Sequence, residues 1–274
     1  MRILRRAVLT YLALGLGAIV ILAPYLMSVQ TSVKTPRQFA QQPPLAPPDP
    51  VTGANYAKLL VGGHTLIPPL VITVQVVLVV VLGQLTCSVL AAYAFARLDF
   101  PGRDALFWVY LATLMVPAVA VLVPRFVLLS EAGLVNTFWG IVLPATFGSP
   151  YAIFLLRQFF RAVPQELLDA ARIDGAGHLR VLRHVLLPLS RPILATLLII
   201  TVVTHWNDFL WPLVVTSGAR WQVLTVAVAG LQSQYHGNWT LVLAATTLAT
   251  LPLLVLFVIF QKHIVRSITI SGMR

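Results

Sequence analysis

The feature that most limits what this chain can fold into is a set of long windows without a charged side chain. Residues 7–29 and 67–96 contain no Asp, Glu, Lys or Arg. An α-helix rises about 1.5 Å per residue, so about 20 apolar residues cross the roughly 30 Å of bilayer hydrocarbon. These windows are longer than a buried core helix needs. With 58% hydrophobic and only 10% charged residues in 274, the chain also lacks the polar surface of a soluble domain. The expected fold class is all-α integral membrane.

Six spans are expected, at about 7–29, 67–96, 105–123, 136–156, 193–211 and 240–260. The first follows Arg2, Arg5 and Arg6 and so resembles a secretion signal. Its apolar part is too long for one and no small-x-small cleavage site follows, so it reads as an uncleaved anchor. The single cysteine, Cys87, lies inside the second window and excludes an intrachain disulfide framework. No internal repeat is evident.

Six spans put both termini on one side. That side collects 14 of the 19 Lys and Arg; the other holds five, namely Lys34, Arg37, Lys58, Arg125 and Arg220. Basic residues accumulate in cytoplasmic segments, which places both termini in the cytoplasm. The net charge of +11 is therefore mainly a topology signal, helped by anionic lipid headgroups. No compact basic domain exists to bind nucleic acid.

Residues 35–60, "TPRQFAQQPPLAPPDPVTGANYAKLL", read as an extended external loop ending in a short interfacial helix. The connection at about 213–239 carries Trp221, Tyr235, His236 and Trp239, read as interfacial anchors.

The usual chemistry is missing. None of the three lysines (Lys34, Lys58, Lys262) follows a glycine, so there is no P-loop, and no H-E-x-x-H, paired-Cys or G-x-S-x-G pattern occurs. The six histidines are scattered. Neither catalysis nor a metal site is expected. Asp208, in "HWNDFLWPL", is the one acid close to a span, roughly 22 Å along the fifth helix and near its outer end. It reads as a helix-end residue or as a polar group at the mouth of a path. Such scarcity of intramembrane charge disfavours a proton-coupled carrier.

The segment 157–191 is far longer than a tight connection needs. Pro164 suits a helix start, with Glu166 and Asp169 near the positive end of its dipole. Leu167, Leu168 and Ala171 form an apolar stripe, and Gly175 marks the turn. A second amphipathic stretch sets Leu179, Leu182, Val185 and Leu186 against Arg180, Arg183 and His184, before Pro188 ends it. The small residues between the two leave room for another protein surface, as a docking helix-turn-helix requires. A hairpin lying on the membrane surface would have a similar pattern.

The run "PQELLDAARIDGAGHLRVLRHVLLPLSRP" resembles the EAA loop of ABC importer permeases, approximately E-A-A-x-x-D-G-A followed by an apolar stretch ending in L-P. Asp169, Ala170, Ala171, Asp174, Gly175, Ala176, Leu187 and Pro188 occupy the matching positions, with Asp169 where glutamate is usual and Leu182 where phenylalanine is common. "AAYAFARLDFPGR" (91–103), "MVP" (115–117), "HWNDFLWPL" (205–213) and the tail "FQKHIVRSITISG" look like the second permease of the maltose and glycerol-phosphate group of carbohydrate importers. The family's usual ending, "GLTxGAVKG", is altered here to "SITISGMR".

The resemblance implies the six-helix type I ABC importer permease fold in a bacterial inner membrane. Residues 1–66 would form an anchor helix and external loop, and 67–274 a five-span permease core carrying the cytoplasmic coupling loop at 157–191. It implies a second homologous permease, two ATP-binding subunits that hold ATP and Mg, and an extracytoplasmic solute-binding lipoprotein, with no cofactor on this chain. Asp169, Ala170, Ala171, Arg172, Asp174, Gly175 and Ala176 would form the coupling patch for ATP-driven alternating access. The solute would be a sugar or sugar-like molecule, half of whose path this chain lines. Polar or aromatic candidates for that path are Gln84, Tyr151, Asn207 and Asp208, with Gln75 and Asn136 also in the spans; helix-packing hydrogen bonds explain such residues equally well. A secondary carrier and a non-transporting membrane scaffold are the alternatives from other classes.

Overall fold

A computed structural model describes residues 2–62, 65–234 and 238–271, with side chains described over 8–62, 65–232 and 238–261. His64, Tyr235 and His236 lie outside the described residues, as do the side chains of the altered tail. The described residues are helical, in the order α1 (Arg2–Ser32), α2 (Pro36–Gln41), α3 (Ala54–Leu60), α4 (Ile67–Arg97), α5 (Arg103–Ala112), α6 (Leu122–Glu131), α7 (Phe138–Thr146), α8 (Pro150–Ala162), α9 (Gln165–Ile173), α10 (His178–Val181), α11 (Leu187–Leu189), α12 (Arg191–Trp206), α13 (Leu210–Val215), α14 (Leu224–Gln234) and α15 (Trp239–Ser271). A π-helical turn, Leu182–Leu186, joins α10 to α11.

Val8–Ser32, Ile67–Arg97, Phe138–Ala162 and Trp239–Gln261 are each long and apolar enough to cross a membrane, and the bent pair His178–Leu189 and Arg191–Trp206 makes a fifth if it is one span. The window at 105–123 forms no continuous helix. α5 runs into the 3-10 turn Thr113–Met115, and Val116 is extended (φ −80°, ψ 119°). The cause is Pro117, whose ring disfavours helical backbone at the preceding residue. Helix resumes only at Leu122.

The span Phe138–Ala162 is also interrupted, between Thr146 and Pro150. Polar backbone freed in hydrocarbon must find partners. Here the Ser149 N–H donates to Ser88 Oγ of α4 (3.0 Å), and the Tyr110 hydroxyl of α5 donates to the Gly148 carbonyl. Ser149 and Pro150 then restart the helix as N-cap and first residue.

Two compact units divide the chain: Met1–Leu70 with Leu224–Val255, and Val71–Val223 with Leu256–Arg274. This differs from a boundary at 66/67, because residues near the start of α15 pack with the N-terminal segment. Thr240 Oγ1 donates to Asn55 Oδ1 at 3.4 Å, while Asn55 Nδ2 donates to the Ser32 and Lys34 carbonyls at 2.8 and 2.9 Å. The stretch at 35–60 is more ordered than an extended loop. Thr35 and Gln38 cap α2 reciprocally, and α3 is the short helix expected at its end. The connection at 213–239 contains a further helix, α14.

The second unit holds the main core. Ala92, Phe95, Phe107, Leu156, Phe160, Leu168, Val181, Leu182, Leu186 and Leu197 bring α4, α5, α8, the 165–189 segment and α12 into one cluster. Gly83 permits a close helix approach, since a Cβ there would lie 2.3 Å from Thr146 Cγ2 and 3.0 Å from its carbonyl oxygen.

Candidate functional site

The segment between the Phe138–Ala162 span and α12 is a hairpin rooted in that core. Its start lies later than 157, because α8 continues to Ala162 and Arg157 is buried, 5% exposed. Arg157 donates from Nε to the Phe95 carbonyl (3.2 Å) and from Nη2 to Asp104 Oδ1 (2.8 Å), with its guanidinium 4.0 Å above the Phe107 ring. It is therefore a packing residue rather than a loop cation.

Pro164 occupies the N-cap position of α9, and Glu166 sits in the first turn, where the dipole favours an acid. Leu168 is 2% exposed and Ala171 packs on the core cluster. The helix ends in a Schellman pair: the Ala176 N–H bonds to the Ala171 carbonyl and the Gly175 N–H to the Arg172 carbonyl, both at 2.9 Å. Gly175 has φ +81°, a left-handed conformation that costs an L side chain energy. The chain returns through α10 and the π turn, whose wider ring accommodates Pro188, a residue with no N–H to offer the His184 carbonyl. The helix axis then bends by 81° into α12.

Two of the seven residues expected in the coupling patch, Ala171 and Ala176, pack inward against the cluster. Asp169, Ala170, Arg172, Asp174 and Gly175 are exposed. Asp169 accepts from Gln165 Nε2 at 2.9 Å and lies 3.7 Å from Arg172, an exposed pair of little energetic weight. Sequence reasoning missed Ile173, 87% exposed at the tip, and placed Leu179 on the same apolar side as Leu182. Leu179 is instead 74% exposed and Leu182 is 4% exposed. The signal for Ile173 was its position off the 167, 168, 171 stripe.

The hairpin is tied to the end of α4. Arg97 donates from Nε and Nη2 to the Phe160 carbonyl, from Nη2 to the Val163 carbonyl (2.6 Å) and from Nη1 to Gln165 Oε1 (2.8 Å). Four residues earlier, the Tyr93 hydroxyl lies 3.0 Å from His178 Nδ1.

The path candidates lie on separate elements. Gln84, in the middle of α4, has a buried side-chain oxygen without a partner among the described residues. Tyr151 is half-exposed in the first turn of α8, and Asn207 donates back to the Val203 carbonyl at 2.8 Å. Asp208 accepts backbone N–H bonds from Phe209 and Trp211, within electrostatic reach of His205 and Arg125. Gln75 and Asn136 do come together, lining an apolar cavity of about 700 Å³ with Trp139, Arg220 and Trp221.

Apolar membrane-length helices, with a hairpin packed on the core that α4, α5, α8 and α12 share, define a multi-helix membrane component. The chain belongs to the family of binding-protein-dependent transport system inner membrane components, whose pattern matches residues 84–270. It is 36% identical over 202 residues to the arabinooligosaccharides transport system permease protein AraQ of Halalkalibacterium halodurans, covering 74% of this chain and 72% of that one. It is 32% identical over 269 residues to the sn-glycerol-3-phosphate transport system permease protein UgpE of Agrobacterium fabrum, covering 95% of each. The fold matches a chain from the crystal structure of a bacterial ABC transporter involved in the import of the acidic polysaccharide alginate, with a TM-score of 0.83 at 22% identity over 93% of this chain and 95% of that one. A second match, at 18% identity and a TM-score of 0.67, comes from an alginate ABC transporter in complex with an alginate pentasaccharide-bound periplasmic protein; it covers 98% of this chain and 97% of that one.

Proposed function

We propose that this chain lines half of the translocation path of an ATP-driven importer for a sugar or sugar-like solute, and that the 163–190 hairpin docks into a separate ATP-hydrolysing subunit. The observation that carries the docking role is Ile173 and Leu179 standing 87% and 74% exposed on a hairpin whose inner face is built into the core. Apolar side chains held in water on a rigid support suit a partner's cleft. The relatives' oligosaccharide and glycerol-phosphate substrates support the solute class.

In this reading six segments cross the inner membrane, α5 and the broken stretch after it forming the third, and both termini are cytoplasmic. ATP and Mg bind only on two partner subunits. A second permease completes the path, and an extracytoplasmic binding protein delivers solute. Asp169, Ala170, Arg172, Asp174 and Gly175 form the docking surface with Ile173, and Ala171 and Ala176 support it from beneath. Gln84, Tyr151, Asn207 and Asp208 contribute to the path.

The test is co-expression with the partner permease and ATPase subunits. Ile173→Arg is expected to leave the permease in the membrane and abolish ATPase co-purification and uptake; retained co-purification overturns the docking assignment. Ion-gradient-driven uptake by this chain alone would establish a secondary carrier instead, and absence of flux with every partner a scaffold.

A further inference from the structure

We propose that Tyr93 and Arg97 are positioning residues that grip the docking hairpin on both sides of α9, at its entry and just past its turn, making α4 the lever that carries hairpin movement into the membrane. The inference rests on the docking role proposed for the hairpin and assigns a function to the otherwise unassigned run "AAYAFAR".

The two residues are one turn apart, so their side chains share a face of α4. That face touches the hairpin at two places with most of α9 between them. At the entry, Arg97 bonds to the carbonyls of Phe160 and Val163 and to the Gln165 side chain. Those carbonyls close α8, where the last turn leaves acceptors unpaired and the dipole favours a cation. Gln165 passes the grip on to Asp169, one turn further along the hairpin's first helix. Just past the turn, Tyr93 meets His178, the first residue of α10. This bond survives a change of imidazole tautomer, because a hydroxyl can both donate and accept. The rings also meet edge to face, with centroids 6.2 Å apart.

A hairpin held at one point pivots about it. A hairpin held on both sides of α9 by one helix moves only with that helix or by breaking these bonds, of which those of Arg97 are charge-assisted. α4 is 31 residues long. Gln75, which lines the 700 Å³ cavity, lies 22 residues before Arg97, about 33 Å away along the helix. Gly83 packs that helix closely on Thr146. Thus one rigid element joins the hairpin's base to a polar residue of the cavity.

The experiment uses the complete importer in proteoliposomes and measures solute uptake per ATP hydrolysed, together with ATPase co-purification. Tyr93→Phe removes one hydroxyl and keeps the packed ring. Arg97→Gln removes the cation, and Arg97→Lys keeps the charge without the fork. Co-purification is expected to stay normal in all three. Uptake per ATP is expected to fall about threefold in Tyr93→Phe and about tenfold in Arg97→Gln, with partial recovery in Arg97→Lys. An unchanged ratio in Tyr93→Phe and Arg97→Gln overturns the proposal, as does a loss of co-purification proportional to the loss of uptake. Failure of the docking role itself is separately visible: Ile173→Arg would then leave co-purification intact whatever the α4 variants do.

Discussion

The guanidinium carbon of Arg125 lies 3.6 Å from the ring centroid of Trp211, whose indole N–H is shared between the Gly140 and Ile141 carbonyls at 3.2 Å each. One buried indole thus joins α6, α7 and α13. Trp211→Phe keeps a ring for Arg125 and loses the donor. It is expected to lower stability by about 1 to 2 kcal/mol, read as an earlier thermal transition of the detergent-solubilised importer. Trp211→Ala should cost clearly more.

Gly175 has open space around its missing Cβ and φ +81°, so substitution there acts through the backbone alone. Asn, which tolerates the left-handed region, is expected to retain more uptake than Ala, and a β-branched Val the least. Membrane insertion should be unaffected in all three. An order following side-chain volume alone, with Ala best, would show that backbone conformation is not what the position requires.

The contact between Gly83 and Thr146 predicts a coupled pair. Gly83→Ala should cost about 1 to 3 kcal/mol through the clash with the threonine methyl. Thr146→Ser removes that methyl and should recover part of the loss, though the carbonyl 3.0 Å away remains. A thermal-stability double-mutant cycle checks this, and strictly additive effects would mean that the helices separate here without cost.

Arg157 and Asp104 should respond unequally. The Asp104 side chain is 60% exposed and water can replace it, so Asp104→Ala should cost under about 1 kcal/mol. Arg157→Ala leaves a cavity against the Phe107 face and an unpaired Phe95 carbonyl, and should cost clearly more, about 2 to 4 kcal/mol. Equal effects on thermal stability would show the ion pair, rather than the packing, to be dominant.

Much of the architecture was legible because its cause is local. Charge-free length marks α1 and α4 regardless of what surrounds them, and the glycine that ends α9 is required by that turn's own φ. The interruption at Val116 was also written locally, in Pro117, but an apolar count over 105–123 is blind to it. The role of Arg157 was not local. A cation at the end of an apolar window reads as a loop residue until Asp104 and Phe107 are brought beside it.

The hairpin divides along the same line. Its existence, its turn and its two amphipathic stretches follow from residue order. Which small residue faces inward does not: Ala170 and Ala171 are chemically identical neighbours, and only the packing of α9 on the core exposes one and covers the other. Leu179 and Leu182 part company in the same way.

By itself, then, the sequence determined an all-helical membrane chain with a hairpin of recognisable family pattern, because hydrophobic length, turn chemistry and spacing are properties of contiguous residues. Only the tertiary structure decided which hairpin side chains are exposed, and that Arg97 and Tyr93, more than 60 residues away in the chain, hold it on both sides of α9. Burial and hydrogen bonding depend on what the folded chain places alongside a residue, and no local pattern carries that information.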